Sequence, residues 1–418
     1  MIPEGWSEVQ VGQLGTKKRP VLKAGPFGSS LTKASYVATG YKVYGQQEVL
    51  SGDLGAKDYF ISEERFRKLS ACAVQPGDIL ITMMGTVGRV LEVPEGARTG
   101  VINPRLMRIS VDQGRVLPSF LARRLNTTAI RHLLERRAHG GTMPGLNAKA
   151  ISTLRFLLPP MWEQRAIVET LKTWDHAIEK VEALIANART QKQALMQQLL
   201  PQGTTPPKKR LSGFSGEWQE VRLGNLVKEV SRDVDWDDEA TYKLISVRRR
   251  SEGIFHRESL RGHEILTKSM KVALAGDFLI SKMQIVHGAS ALVKANFDGF
   301  NISGSYIALV PKDQAKLDIE YFDWYSRTPY FYKLAYINSY GVHIEKMTFN
   351  LKSFLKQTIM VPQSNAEQSA IVDRLNSAEA LIGVYQSQAS ALRREKAALM
   401  QQLLTGKRRV KLPESEVA

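Results

Sequence analysis

Apolar residues return at alternating spacings of three and four through two long stretches of the chain. In the first stretch Ile167, Trp174, Val181, Ala188 and Leu195 fall seven apart. Leu171, Ile178, Ile185 and Leu199 fill the second seam position, with Lys192 as its polar exception. In the second stretch Ile371, Ala378, Tyr385, Leu392 and Leu399 run beside Leu375, Ile382, Ala389 and Leu403, again with one lysine, Lys396. A pattern of this kind, held over many turns, is the signature of a coiled coil, and a lone polar seam residue can set its register. At ~1.5 Å per residue, a helix of about 38 residues is a rod of roughly 57 Å.

The two stretches are copies. Glu163-Gln164-Arg165-Ala166-Ile167-Val168 returns as Glu367-Gln368-Ser369-Ala370-Ile371-Val372, and Ala194 through Leu200 returns unchanged as Ala398 through Leu404. Where one seam is bulky the other is often small: Trp174 against Ala378, Val181 against Tyr385, Ile185 against Ala389. That divergence predicts that the copies pair with each other within one chain. An antiparallel pair is expected, because it sends the two preceding segments to opposite ends. The simpler reading, two unrelated amphipathic helices on separate cores, leaves the identities and their constant offset to coincidence.

Before each helix lies a segment of ordinary domain size, 1–158 and 211–361. Here the pattern changes to short runs such as Asp78-Ile79-Leu80-Ile81-Thr82 and Ser305 through Val310, bounded by Gly or Pro and β-like. Pro118 to Leu134 and Ile319 to Leu334 read as amphipathic helices. The segments echo each other: Trp6 through Leu14 in Trp218 through Leu226, Gly77 through Thr82 in Gly276 through Ser281, Asn147 in Asn350. The fold expected is therefore α/β (α+β), in two pseudo-repeated copies each followed by a long helix. Its parts are 1–158, a spacer helix in 159–203, a linker 204–210 carrying Pro206, Pro207 and Lys208-Lys209-Arg210, then 211–361, a second spacer helix in 362–406, and a basic tail 407–418. A scaffold kept in duplicate while its content diverges suits a reader of something that itself comes in two halves.

Charge narrows what that something is. The chain of 418 residues carries a formal net charge of +17. Residues 1–158 hold 22 basic against 12 acidic side chains, and the other parts are only mildly basic. A surplus spread over a folded chain points to a polyanion such as nucleic acid. One cysteine, Cys72, excludes an internal disulfide framework and a multi-cysteine zinc site. No apolar run approaches membrane-spanning length and no leader pattern opens the chain, so a cytoplasmic protein is expected.

Catalytic signatures are missing from the sequence. Gly85-Thr86-Val87-Gly88-Arg89 has the glycines of a phosphate loop but neither its Gly-Lys-Ser/Thr ending nor its spacing. His132, His139, His176, His256, His263, His287 and His343 show no ligand spacing. Asp233, Asp235, Asp237, Asp238 and Glu239 read as a solvated loop, and Asn103-Pro104-Arg105-Leu106 lacks the aromatic that amino-methyltransferases carry after Asn-Pro-Pro. No metal or cofactor is expected on this chain.

Taken together, Phe27-Gly28-Ser29-Ser30, Gly77-Asp78-Ile79-Leu80, Gly140 through Asn147, Leu157-Leu158-Pro159-Pro160, Glu163 through Val168 and the closing Leu399-Met400-Gln401-Gln402-Leu403-Leu404 before a basic tail resemble the specificity subunits of type I restriction-modification systems. The resemblance covers almost the whole chain. It departs in the second half, where Tyr340-Gly341-Val342-His343 stands in place of Gly-Gly-Thr-Met-Pro-Gly and Val361-Pro362-Gln363 in place of the Pro-Pro pair.

The resemblance implies a non-catalytic DNA-binding subunit with two target-recognition domains, each reading a few base pairs of a split, asymmetric double-stranded site. The coiled coil would set the unread gap, since half-sites one duplex turn apart are about 34–36 Å centre to centre. It also implies two methyltransferase subunits docked on the helices and restriction (motor) subunits beyond them. S-adenosylmethionine, Mg and ATP belong to those partners. The competing reading is a coiled-coil interaction scaffold without specific DNA binding.

For DNA, cations position the backbone while polar side chains read base edges. The candidates in the first half are Lys17, Lys18, Arg19, Ser29, Ser30, Lys33, Tyr44, Gln46, Gln47 and Arg89. In the second half they are Arg248, Arg249, Arg250, His256, Arg257, Lys282, Gln284 and His343. For helix pairing the candidates are Ile167, Leu171, Trp174, Ile178, Val181, Ile371, Leu375, Ile382 and Tyr385.

Overall fold

The computed structural model describes residues 2–27, 30–138 and 145–410, which fall into two units. One is built from the chain up to Lys180 and again from Gln388 onward, the other from Val181–Ser387. The long helices, Met161–Leu199 and Asn365–Leu403, each contribute one half to each unit.

In the first unit one four-stranded sheet runs Leu22–Ala24, Leu106–Ile109, Ile79–Thr82, Val90–Glu92, with antiparallel pairs throughout. A second sheet runs Phe60–Ile61, Tyr41–Tyr44, Gly100–Ile102, Ala73–Val74, and its middle pair is parallel. Ser7–Gln10 pairs with Arg155–Leu158, closing the segment where the helix begins. The central strand explains its own sequence. Ile79 and Ile81 enter the core shared with the helices, while Leu80 enters the core between the sheets. A strand buried on both faces reads as a continuous apolar run rather than an alternating one.

The second unit repeats this order of strands. Val227–Val230, Tyr306–Pro311, Phe278–Ser281 and Ser290–Leu292 form one sheet; Ile254–Arg261, Thr241–Val247, Phe300–Ser303 and Met270–Ala273 form the other. Trp218–Arg222 closes against Thr358–Pro362. Phe278 and Ile280 face the helix-side core and Leu279 the inter-sheet core, as their counterparts do.

The predicted helices over Pro118 to Leu134 and Ile319 to Leu334 are each two helices. Pro118–Leu125 is followed by Thr128–Arg137, and Ile319–Ser326 by Pro329–Ile337. In the second pair Pro329 takes the first helical position and pushes Thr328 out of the helical region, where its hydroxyl caps Phe331 N–H. The apolar spacing survives the break, so periodicity alone could not reveal it.

Within each unit the helix halves run antiparallel. In the first, Ile167, Val168 and Leu171 share a core with Leu399, Leu403 and Leu404; in the second, Met196, Leu199 and Leu200 share one with Ile371, Val372 and Leu375. Fully burying such a side chain contributes about 1.5–3 kcal/mol. Ile178, Val181 and Ile382 are buried as the seam pattern requires. Trp174 and Tyr385 are only half-buried. The seam lysines are paired: Lys192 Nζ donates to Glu379 Oε2 at 2.5 Å in one unit, and Lys396 to Asp175 in the other.

The repeated Glu-Gln at the head of each helix has a structural cause. Gln164 accepts from Leu117 N–H (2.8 Å) and donates to the carbonyls of Arg115 and Pro159. Gln368 does the same with Asp318, Lys316 and Pro362. Glu163, fully buried, receives Arg409 through Nε and Nη2 at 2.6 and 2.7 Å, and Glu367 receives Arg210 at 2.8 and 2.6 Å. A buried carboxylate needs such a partner. The segment after each long helix thus returns to the head of the other.

Candidate nucleic-acid interface

In the second unit three loops meet. The turn joining Thr241–Val247 to Ile254–Arg261 carries Arg248, Arg249 and Arg250. Arg250 and Ser251 both have left-handed backbones, at φ 59° and 55°. Such conformations in non-glycine residues cost of order 1–3 kcal/mol each and persist only where the surroundings hold them. Here Arg250 N–H donates to His287 O (2.7 Å), Ser251 N–H to Gly288 O (2.8 Å), and the Ser251 hydroxyl meets Tyr332 Oη at 2.8 Å. Gly288 makes this possible: a Cβ there would stand 2.1 Å from the Tyr332 hydroxyl.

The third loop is the tip of a hairpin whose arms are Ser339–Tyr340 and Thr348–Phe349. Phe349 N–H donates to Lys282 O, docking the hairpin against the 282–288 turn. At its tip Glu345 Oε2 accepts from Arg249 Nη2 at 3.0 Å, and Glu345 Oε1 lies 3.2 Å from His287 Nε2 without hydrogen-bond alignment. His343 and Lys346 are exposed beside it, and Val342 is 93% exposed. Arg248 stacks over Phe255 at 4.8 Å from the ring centre.

The remaining second-half candidates differ in freedom. His256 and Arg257 are exposed on the outer strand of their sheet, with His256 bonded to Ser259 and Arg257 paired with Glu258. Lys282 is half-buried and its ammonium donates to Gly304 O, so it holds the turn rather than standing free. Gln284 is half-buried, its Oε1 lacking a hydrogen-bond partner.

In the first unit the equivalent surface gathers the 83–89 turn, Gln46 and Gly145. Gln46 Nε2 donates to Met84 O (2.8 Å), and Leu146 N–H to Met83 O. Gln47 and Arg89 are exposed there. Lys17 and Lys18 are exposed at the tip of a turn closed by Thr16 and Arg19, and Ser30 and Lys33 are exposed on another loop. Ser29 lies outside the described residues, as does most of the Gly-Gly-Thr-Met-Pro-Gly segment.

Two candidates belong to the framework instead. Arg19 donates from Nη1 to Asp78 (2.8 Å) and from Nη2 to Ala73 O (2.5 Å), and Asp78 also accepts from Ser110 Oγ and Gln75 N–H. Its counterpart is Arg232 on Asp277, at 2.6 and 3.1 Å. The Gly-Asp motif is therefore the seat of an arginine that braces the sheet. Tyr44 is 1% exposed and donates to Arg98 O; burial raises its phenol pKa, so it stays a neutral core donor.

Sequence reasoning missed Glu345, His287, Ser251 and Tyr332. Each acquires its place only through a long-range contact, and an acidic residue in a basic interface carries no signal in sequence. Among the described residues no group of three His, Cys, Asp or Glu side chains could hold a metal ion, and no helix is long and apolar enough to cross a membrane.

Residues 3–187 match the type I restriction modification DNA specificity domain. The chain is 23% identical over 201 residues to the type I restriction enzyme EcoBI specificity subunit of Escherichia coli, a match covering 48% of this chain and only 41% of that relative. It is 20% identical to the type I restriction enzyme MjaVIII specificity subunit of Methanocaldococcus jannaschii, over 98% of this chain and 94% of the other. The fold is shared with the type I restriction-modification S subunit from M. genitalium, with a TM-score of 0.54 and 14% identity over 96% of both chains.

Proposed function

We propose that the chain is a specificity subunit of the type I restriction-modification kind and that it recognises a split, asymmetric site on double-stranded DNA. The observation that carries this reading is the pair of units with one strand order and unlike loops. The second presents Arg248, Arg249, Arg250 and a closed hairpin; the first presents Gln46, Gln47 and Arg89. A kept scaffold with different polar loops reads two different short sequences. Arg89, Lys17, Lys18 and Lys33 supply phosphate contacts, and the loop amides and hydroxyls supply base contacts.

The subunit itself performs no chemistry. It directs modification subunits, which bind S-adenosylmethionine and methylate adenine, and restriction subunits that use Mg and ATP. The paired helices supply the docking surface for the modification subunits, and this assembly works in the cytoplasm.

Methylation-aware sequencing of host DNA, with the chain intact and deleted while its partner genes remain, tests the proposal. Loss of adenine methylation at one bipartite motif is the expected result. An unchanged methylome, with the modification subunits shown to be expressed, overturns it in favour of a scaffold.

A further inference from the structure

The second unit places one carboxylate in the middle of its basic surface, and what holds it there is specific. Glu345 stands at the tip of the 339–349 hairpin with one oxygen on Arg249 and the other beside His287. Arg249 itself is fixed by the left-handed backbone at Arg250 and Ser251, which is bonded to the 285–288 turn and to Tyr332. The hairpin is closed tightly enough that a Cβ at Gly341 would lie 2.8 Å from Lys346 O. The carboxylate is therefore oriented by two separate loops, yet its side chain remains 57% exposed.

A phosphate-binding surface has no use for an anion, which repels every phosphate alike. A carboxylate oriented by an arginine, with lone pairs still open, has a different use: it accepts a hydrogen bond from an amino group. In the major groove of B-DNA the exocyclic amino groups of cytosine and adenine are such donors, and Glu or Asp on cytosine N4 is the recurrent pairing. Tyr340, Val342 and Ile344 on the same hairpin are 59%, 93% and 48% exposed, giving apolar contact surface to a base edge beside the carboxylate.

We infer that Glu345 is a base-reading residue, accepting from the amino group of a cytosine at one position of the second half-site, with Arg249 as its positioning residue. This rests on the DNA-recognition reading above. It adds a specificity determinant of negative charge where no acidic residue was expected.

The test is selection of bound duplexes from a randomised library, using the full chain co-expressed with its modification subunits, as wild type, Glu345→Gln and Glu345→Ala. Expected is a wild-type motif with cytosine required at one second-half position, and loss of about ten-fold or more of the discrimination there in both variants. All other positions remain as in wild type. Arg249→Gln loosens the same position, and Arg249→Lys restores part of it. Unchanged motifs in both Glu345 variants overturn the inference. So does a uniform rise in affinity for all sequences without a change of motif, because the carboxylate then only repels phosphate. A wild-type chain that selects no motif sinks the DNA reading itself, a result the variants are not needed to recognise. Thermal unfolding of the Glu345 variants at the wild-type temperature establishes that the fold is intact.

Discussion

Lys192 and Glu379 form the same pair in one unit that Lys396 and Asp175 form in the other. Each lysine lies 204 positions from its counterpart, and so does each acid. The two position numbers sum to the same value in both pairs, which is possible only if the helices run antiparallel. The seam lysines are thus register pins rather than defects in an apolar stripe.

Charge reversal at Lys192 tests this. Lys192→Glu is expected to lower stability by about 0.5–1 kcal/mol, a modest figure because Glu379 is half exposed. The double variant Lys192→Glu with Glu379→Lys regains most of the loss. A double-mutant cycle by thermal unfolding measures the coupling, and additive effects would remove the pair from any register role.

Arg409→Ala leaves the buried carboxylate of Glu163 with Trp6 Nε1 as its remaining partner, at 2.9 Å. An uncompensated buried charge of this kind is expensive, about 3 kcal/mol. Denaturant unfolding of the variant should show an earlier transition, and Glu163→Gln, which keeps an acceptor for Trp6, a smaller loss.

Arg19 and Arg89 should separate framework from interface. Arg19→Ala is expected to destabilise by about 1–3 kcal/mol by leaving Asp78 without its hydrogen-bonded cation, Arg108 Nε standing 4.0 Å away, with the salt dependence of DNA binding unchanged. Arg89→Ala should leave the unfolding transition alone and reduce the slope of log affinity against log salt by about one. The reverse outcome would exchange their roles.

Asp175 ties the first unit to pH. Partial burial raises its pKa, but hydrogen bonds from Lys396 and Arg123 outweigh that and leave it below its ordinary 3.8. A carboxyl depressed in the folded state contributes stability above its unfolded pKa and loses it as pH falls through the lower folded value. Asp175→Asn should therefore flatten the loss of stability below about pH 4. An unaltered acid limb would show that Asp175 is not coupled to folding.

The strained turn offers a test of opposite sign. Ser251→Gly removes a left-handed backbone penalty of about 1 kcal/mol, though it also removes the hydroxyl bonded to Tyr332. Arg250→Gly relieves the strain without that loss and is expected to be more stable than the native chain while binding DNA less tightly. Calorimetry and filter binding on the same preparation measure both.

Much of this was legible in sequence because it depends on local period and on repetition. The heptads at Ile167, Leu171, Ile178 and Ile371, Leu375, Ile382 announced the helices. The run Ile79-Leu80-Ile81 announced a strand, and the echo of Gly77-Asp78 in Gly276-Asp277 announced a common framework. The loops were not legible in the same way. Lys17 and Arg19 sit two apart with the same charge, yet one is exposed and the other braces Asp78. Tyr44 and Gln46 are neighbours on opposite sides of the core boundary. Composition and spacing by themselves determined the duplicated plan, the paired helices and the basic character of the chain. Only the tertiary structure decided which cations are free and that Glu345 stands among them, because partners distant in sequence set the fate of these side chains, Asp78 for Arg19 at 59 residues and Arg249 for Glu345 at 96. Contacts of that range are made by folding and leave no local period to read.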